Sequence, residues 1–224
     1  MPELFTFFGL LSHDKTFIFM THMLLSAGIA MLLVRVAMSN LQLVPKGTQN
    51  LMEAYINGVL EMGTDVMGKS HARKYVALVA TIGLFVGIAN LIGVIPGFEA
   101  PTAFLEMPLA LAATVFVYYN YVGIKTHGVI KYFKHFLGPV WWLYWLMFPI
   151  EIVSHFSRLV SLSFRLFGNV KGDDMFLMVI LMLAPWLLPM IPFALLTFMA
   201  FLQAFIFMML TYVYLGGAVA TEEH

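Results

Sequence analysis

The sequence predicts an all-α integral membrane protein with five transmembrane helices and one amphipathic helix at the membrane interface. Of its 224 residues, 61% are hydrophobic and 11% are charged, a balance outside the usual range of soluble domains. Five apolar segments are long enough to cross a hydrocarbon core of about 30 Å. The sequence shows no internal repeat and no soluble segment, so residues 1–224 are expected to form a single membrane domain.

Composition also excludes several classes of function. The formal net charge is zero, so nothing indicates a nucleic-acid partner, and the lack of cysteine excludes disulfides, thiolate metal sites and a cysteine nucleophile. No histidine cluster has metal-ligand spacing and no glycine-rich phosphate-binding motif occurs, so we expect no metal, no cofactor and no bound ATP. A haem site is disfavoured because only His22 and His155 lie in apolar segments.

The first apolar segment, residues 17–38, predicts a transmembrane helix. A cleaved signal peptide is the alternative, but no basic region precedes the segment and no small-residue cleavage site ends it. We interpret His22 as a hydrogen-bonded structural residue rather than a ligand. Residues 45–69 predict an amphipathic helix with Pro45 in its first turn. This helix is too polar to cross, so we expect it to lie at the interface or beneath other parts of the protein.

Residues 75–95 and 107–124 predict the second and third transmembrane helices. Asn90 is the one strongly polar side chain of the second helix, and it could serve either a helix–helix hydrogen bond or an aqueous path. The loop between these helices has no Lys or Arg, whereas four lie at 39–74 and three at 125–140. By the positive-inside rule the basic loops are cytoplasmic, which places the N-terminus outside and the C-terminus, after five crossings, in the cytoplasm.

The last two predicted crossings, residues 150–183 and 193–217, form a long helical hairpin. The first of them has 34 residues. A continuous helix of that length measures about 51 Å, against a hydrocarbon core of about 30 Å. It must therefore be tilted more steeply than the usual range of roughly 0 to 40°. A helix this long and tilted can lie across the side of a large, curved partner.

One face of residues 150–183 is polar and small. On a helical projection, eight residues fall within an arc of roughly 100°: Glu151, Ser154, Arg158, Ser161, Arg165, Gly168, Asn169 and Gly172. Because an Arg at mid-bilayer costs roughly 2.5 to 3.5 kcal/mol, Arg165 predicts a functional site that has a partner. Glu151 lies about 21 Å away along the axis and Asp174 lies on the opposite face. We therefore favour a carboxylate on a different subunit over a salt bridge within this chain.

Acidic residues lie on both sides of this cation. Asp173 and Asp174 lie toward the outer leaflet, and Glu151 and His155 lie near the cytoplasmic end. This order suits two aqueous half-paths that reach mid-membrane from opposite sides, with the positive charge preventing a direct leak between them. The alternative is that Asp173, Asp174 and Lys171 reach the interface as snorkelling side chains, and for Lys171 we favour it, with either aspartate as its partner. Gln203, in the last predicted crossing, could bind Arg165 or make an ordinary interhelical contact.

Four motifs closely resemble the bacterial a subunit of the F-type ATP synthase membrane sector: VPKGTQNLMEA, NLIGVIPG, SFRLFGNVKGDD and LQAFIFMMLTYVYL. The resemblance implies a stator subunit in the bacterial plasma (inner) membrane, beside a ring of c subunits that its tilted hairpin follows. It implies a c-subunit ring, b-type peripheral stalk subunits and membrane lipid as partners, and the F1 sector indirectly. In that family ATP chemistry belongs to other subunits, and subunit a couples proton flow to ring rotation.

The resemblance also assigns roles by position. Arg165 corresponds to the essential arginine that faces the ring carboxylates and Gln203 to the glutamine beside it. Asp174, with Asp173, falls where many members have a proton-path Glu or His, Asn90 matches a polar position of the outer half-channel, and Glu151 matches a carboxylate of the cytoplasmic one. We expect small and polar residues to face the ring: Ser161, Gly168, Asn169 and Gly172.

The chain also departs from the family pattern. Many relatives have an acid where this chain has Gly93, and the KGDD sequence is unusual, which leaves the wiring of the outer half-channel open. The alternative function is a stand-alone ion channel or secondary transporter. Such proteins usually have internally related halves, and none is visible here.

Overall fold

The computed structural model describes residues 6–10, 14–39, 41–129, 144–183 and 190–219, and all regular structure in these ranges is helical. Six α-helices lie within them: α1 (Lys15–Met38), α2 (Thr48–Met67), α3 (Lys69–Val94), α4 (Glu106–His127), α5 (Tyr144–Leu183) and α6 (Met190–Val219). Two short 3-10 helices are also present: Phe8–Leu10 precedes α1, and Pro101–Ala103 lies between α3 and α4. The predicted all-α class is confirmed for the described residues.

Four of these helices, α1, α3, α4 and α6, are long and apolar enough to cross a membrane. Helix α5 is longer, with 40 residues, but six acidic and basic side chains are spread along it and it is not among the four. A fifth crossing by α5 therefore stays a prediction. The predicted basic loop at 125–140 and the cytoplasmic C-terminus lie partly or wholly outside the described residues.

Several helix boundaries differ from the sequence-based ones, and the starts of α2, α5 and α6 each lie near a proline or glycine. Helix α2 begins at Thr48, because Gly47 before it has a positive φ of 58°, so the prediction that Pro45 lies in its first turn is wrong. Helix α5 begins at Tyr144 and continues through Pro149, which near a helix start removes a single backbone hydrogen bond. Helix α6 begins at Met190 and holds Pro192 in its first turn, where the missing N–H has no helical partner anyway.

Helix α3 lies at the centre of the packing. It contacts α1, α2 and α6, and α4 packs against both α5 and α6. The core joins large buried side chains from four helices: Tyr75, Val79, Val86, Tyr119, Leu166, Phe207, Tyr212 and Leu215. Close approach depends on glycine in places. A Cβ at Gly63 would lie 2.5 Å from the Tyr212 ring, so α2 meets α6 there because the side chain is missing.

Polar residues gather at two opposite ends of this bundle. We call the first the Glu99 end, where the loop of residues 95–105 contacts α1 and α5. The Glu99 N–H donates a hydrogen bond to His22 of α1, and the Glu99 carboxylate lies near Lys171 of α5. We call the second the His155 end: the start of α5 meets α4 through the Tyr119 ring, 5.8 Å from the His155 ring. Between these ends α5 carries Arg165.

Candidate functional site

Arg165 lies near the middle of α5, on a face that no other described helix covers. Arg165, Ser161, Gly168 and Gly172 are all exposed. A Cβ added at Gly168 or Gly172 would have no neighbouring atom within 4 Å. The opposite face of α5 is buried through Leu162, Ser163 and Leu166, of which Leu166 is 0% exposed. Helix α5 therefore packs into this chain on one side and presents a flat, cationic strip on the other.

No ion pair or hydrogen bond links Arg165 to another residue in the part of the chain that the structure describes. The carboxylates of α5 are too far along the helix: Asp174 lies nine residues after Arg165 and Glu151 lies 14 before it. A salt bridge within the chain, the alternative considered from the sequence, is thus not formed among these residues. A buried or lipid-facing guanidinium needs an anion, and the exposed strip leaves room for one from another subunit.

A partly open cleft with about 360 Å³ of empty space lies between α3, α5 and α6 toward the Glu99 end. Five residues singled out from the sequence line it together: Asn90, Asn169, Asp173, Asp174 and Gln203. Apolar and small residues complete the wall: Gly93, Val94, Ala100, Val170, Leu196, Met199 and Ala200. Arg165 is not part of the lining. The cleft therefore collects the predicted outer polar residues from three helices.

A hydrogen bond between Gln203 and Asn169, which both line the cleft, joins α6 to α5. The Asn169 Nδ2 donates to the Gln203 Oε1 at 2.8 Å, and Gln203 is 3% exposed. Asn169 lies four residues after Arg165, one helical turn away. Of the two possibilities left open for Gln203, the described residues show the interhelical contact, and the contact is with the neighbour of Arg165 rather than with Arg165 itself.

Asn90 is buried in the wall of the cleft, with 4% exposure. Its Oδ1 accepts a hydrogen bond from the Thr102 hydroxyl at 2.6 Å, whereas its Nδ2 has no hydrogen-bond partner in the described part of the chain. A buried donor left without a partner costs about 1 to 3 kcal/mol. Asn90 therefore adds a buried amide donor to the wall of a cleft that also contains two aspartates.

The Glu99 end holds an ion pair that we did not predict. The Lys171 Nζ lies 3.8 Å from the Glu99 Oε1, so the partner of Lys171 is neither Asp173 nor Asp174, and Lys171 is a paired side chain rather than a freely snorkelling one. The acidic composition of the loop was the available signal, but the sequence did not show that the loop folds back onto α5. Thr102, which holds Asn90, comes from the same loop and was missed for the same reason.

His22 anchors this loop to α1. It is 0% exposed, its Nδ1 lies 2.7 Å from the Ile18 carbonyl oxygen, and its Nε2 accepts the Glu99 backbone N–H at 3.1 Å. The rings of Phe8 and Phe98 pack edge-on against the imidazole, with centroids 5.0 and 6.0 Å away. His22 is therefore a hydrogen-bonded structural residue, as we interpreted it from the sequence.

The His155 end is a more compact group. His155 is 9% exposed, and its Nδ1 lies 3.3 Å from the Glu151 carbonyl oxygen and 3.5 Å from the Glu151 carboxylate. The Arg158 guanidinium lies 5.8 Å from the centre of the Tyr214 ring of α6. Arg165 is about 15 Å along the helix axis from His155 and about 14 Å from Asp174. The predicted site residues thus form two separate groups, with Arg165 between them.

These features define a helical, multi-pass membrane protein that holds two polar groups on either side of Arg165. The chain matches the family model described as ATP synthase A chain over residues 18–216. It is 83% identical to the ATP synthase subunit a of Sulfurimonas denitrificans over 100% of both chains. It is 61% identical to the ATP synthase subunit a of Campylobacter fetus subsp. fetus over 100% of both chains. The corresponding protein of a Nitratiruptor species is 59% identical over 100% of this chain and 99% of that one.

This chain therefore belongs to the ATP synthase A chain family, and the resemblance drawn from its motifs is confirmed.

Proposed function

We propose that this chain is the stator subunit of a rotary F-type ATP synthase that passes protons to and from the carboxylates of a c-subunit ring. The observation that carries the proposal is the state of Arg165, which is exposed on an uncovered strip of α5 and has no partner among the described residues. Membership of the ATP synthase A chain family supports the same conclusion.

Arg165 acts on the ring electrostatically. A guanidinium close to a ring carboxylate favours its ionised form, so a protonated site that approaches Arg165 gives up its proton. The ionised site then pairs with Arg165 until it moves to the next position, where it takes up a new proton. Gly168 and Gly172, together with Ser161, let the ring helices approach closely because none of them has a large side chain. The Asn169–Gln203 hydrogen bond fixes α6 behind this strip.

The cleft at the Glu99 end is the half-channel open to the outside. Asp173 and Asp174 exchange protons with water there, and Asn90, whose Nδ2 has no partner among the described residues, makes the wall beside them polar. A ring carboxyl protonated from the cleft becomes neutral and can enter lipid. A membrane potential contributes about 2.3 kcal/mol per charge per 100 mV to this movement.

The group at the His155 end is the half-channel open to the cytoplasm. Glu151 is 32% exposed and contacts the His155 imidazole, so the pair can accept a proton released beside Arg165 and pass it on. Since about 15 Å of helix separates His155 from Arg165, further residues or water must complete this path. The positive charge of Arg165 keeps the two half-channels from joining.

The proposed topology has five crossings. Helices α1, α3, α4 and α6 cross upright or nearly so, and α5 crosses as a steeply tilted helix along the ring. In this topology the His155 end lies in the cytoplasm and the N-terminus outside, which the basic residues Arg73, Lys74 and Lys125 support by the positive-inside rule. Helix α2 lies at the cytoplasmic interface. The partners are the c-subunit ring, b-type peripheral stalk subunits and, indirectly, the F1 sector, in a bacterial plasma membrane.

Cross-linking tests the proposed ring contact, because the chain has no natural cysteine. Gly168→Cys and Gly172→Cys, each combined with a cysteine on the carboxylate-bearing helix of the c subunit, should form a disulfide on oxidation of membranes. Gly28→Cys on α1 is the matched control, since its Cβ also meets nothing within 4 Å but lies on another helix. Cross-links that form equally at Gly28, or at none of the three positions, would contradict the proposed orientation.

A further inference from the structure

The pair formed by Glu99 and Lys171 lies next to a residue of the polar cleft. Lys171 and Asp174 are three residues apart on α5, a spacing that places their side chains on the same side of the helix. Lys171 has 36% and Glu99 23% of its side chain exposed. An ion pair with this much exposure adds little to folding stability. The main effect of the ion pair is therefore on the position of the Lys171 ammonium.

Several contacts fix the backbone of Glu99 before its side chain reaches Lys171. Its N–H donates to the buried Nε2 of His22 at 3.1 Å, and the neighbouring Gly97 carbonyl accepts the Phe7 N–H at 2.9 Å. On the other side, Ala100 packs directly onto α3: a Cβ at Gly93 would lie 2.5 Å from that of Ala100. The loop cannot move away from α5 without breaking these contacts, so Glu99 is held beside Lys171.

Three charged groups in the described part of the chain act on Asp174. They are Glu99 from the loop and Lys171 and Asp173 from α5 itself. Helices α3 and α6, which form the other walls of the cleft, contribute neutral polar side chains there, Asn90 and Gln203. Both ring nitrogens of His22 are engaged, because its Nε2 accepts the Glu99 N–H while its Nδ1 lies against the Ile18 carbonyl oxygen.

We propose that Glu99 is a positioning residue for proton uptake, which engages the Lys171 ammonium and so keeps it from pairing with Asp174. This role rests on the proposed proton-translocating function. A Lys171 without Glu99 would turn to the carboxylate three residues along its own helix and hold it ionised. Asp174 would then take up a proton only at a lower external pH. Glu99 thus sets the external pH range in which the cleft delivers protons.

The experiment uses the complete ATP synthase reconstituted in liposomes and measures ATP synthesis at a fixed membrane potential. The pH on the side open to the Glu99 end is varied, while the pH on the F1 side is held constant. Glu99→Gln should move the half-maximal rate to lower external pH by about half a unit or more. Lys171→Gln should move it to higher external pH. The double variant should return close to the wild-type profile, because the charges that the two changes remove are opposite.

Glu106→Gln is the matched control, since Glu106 is an exposed acid at the start of α4 and is not among the charged groups that act on Asp174. Its profile should match the wild type. Co-purification of the c-subunit ring with each variant checks assembly.

A purely structural role of Glu99 would lower the rate at all pH values without opposite shifts in the two single variants. That outcome, or a Glu99→Gln profile no different from that of Glu106→Gln, overturns the proposal. If the wild-type complex is active, either result contradicts the proposed role of Glu99 and leaves the proposed function of the protein intact. If the wild-type complex made no ATP from an imposed proton gradient, the proposed function itself would fail.

Discussion

The two ends of the molecule arrange their polar residues in different ways. At the Glu99 end, two aspartates and three side-chain amides surround an open cleft, and one buried amide donor has no partner among the described residues. At the His155 end, the imidazole is 9% exposed and packs beside the Tyr119 ring. In the proposed function, the first arrangement holds water and exchanges protons through it, whereas the second passes a proton through a particular pair of side chains.

In the proposed function, the two half-channels are therefore built from unlike parts. Proton exchange in an open cleft depends on how many ionisable groups remain in it. Proton transfer through a compact pair of side chains depends on whether either member can still carry the proton. Removing single groups from each end should therefore give effects of different size.

Asp174→Asn should have the largest effect at the Glu99 end, because an amide cannot take up and release a proton. We expect ATP-driven proton pumping in vesicles that contain the assembled complex to fall about tenfold or more. Asp173 remains in this variant, so complete loss is not required. Pumping at the wild-type rate, with normal amounts of complex in the membrane, would mean that the cleft acids do not carry protons.

Asn90→Leu should have a smaller effect, since it removes polar groups from the wall of the cleft but leaves both aspartates. Pumping should fall about threefold to tenfold as water is held less well beside Asp173 and Asp174. Thr102→Val is the matched control: it removes the hydroxyl that binds the Asn90 Oδ1 but leaves the Nδ2 in the cleft. Equal pumping by wild type and Asn90→Leu would show that the cleft does not need this amide.

Glu151→Gln should have the smallest effect of the three, because the adjacent His155 can still take the proton and Glu151 is 32% exposed to begin with. We expect a decrease of about twofold to threefold. The double variant Glu151→Gln/His155→Gln should lose far more than the sum of the two single changes. Additive losses in this cycle would contradict a shared role for the pair in proton release.

The sequence predicted those parts of the site that depend on one helix. The strip with Arg165, Ser161, Gly168 and Gly172 follows from the helical repeat alone, and these residues share one exposed side of α5 in the structure. The two acidic groups on either side of Arg165 follow from spacing along the same helix. Such relations need no knowledge of how the chain folds back, so periodicity is sufficient.

Contacts between distant residues were beyond this reasoning. The Thr102–Asn90, Glu99–Lys171 and His22–Glu99 contacts all depend on the conformation of one loop. The Gln203–Asn169 contact joins residues 34 positions apart, and spacing could not show that Asn169 rather than Arg165 would be the partner. The late start of α2 depends on the positive φ of Gly47, a local feature that the position of Pro45 obscured.

The central claim is that Arg165 engages a ring carboxylate and separates two half-channels. The most direct test is proton flux in vesicles that carry Arg165→Ala in the assembled complex, with ATP-driven pumping and passive leak recorded separately. Arg35→Ala, at an exposed arginine near the end of α1, is the matched control and should behave as the wild type. We predict loss of pumping together with a raised passive leak for Arg165→Ala. Normal pumping with an unchanged leak would contradict the account.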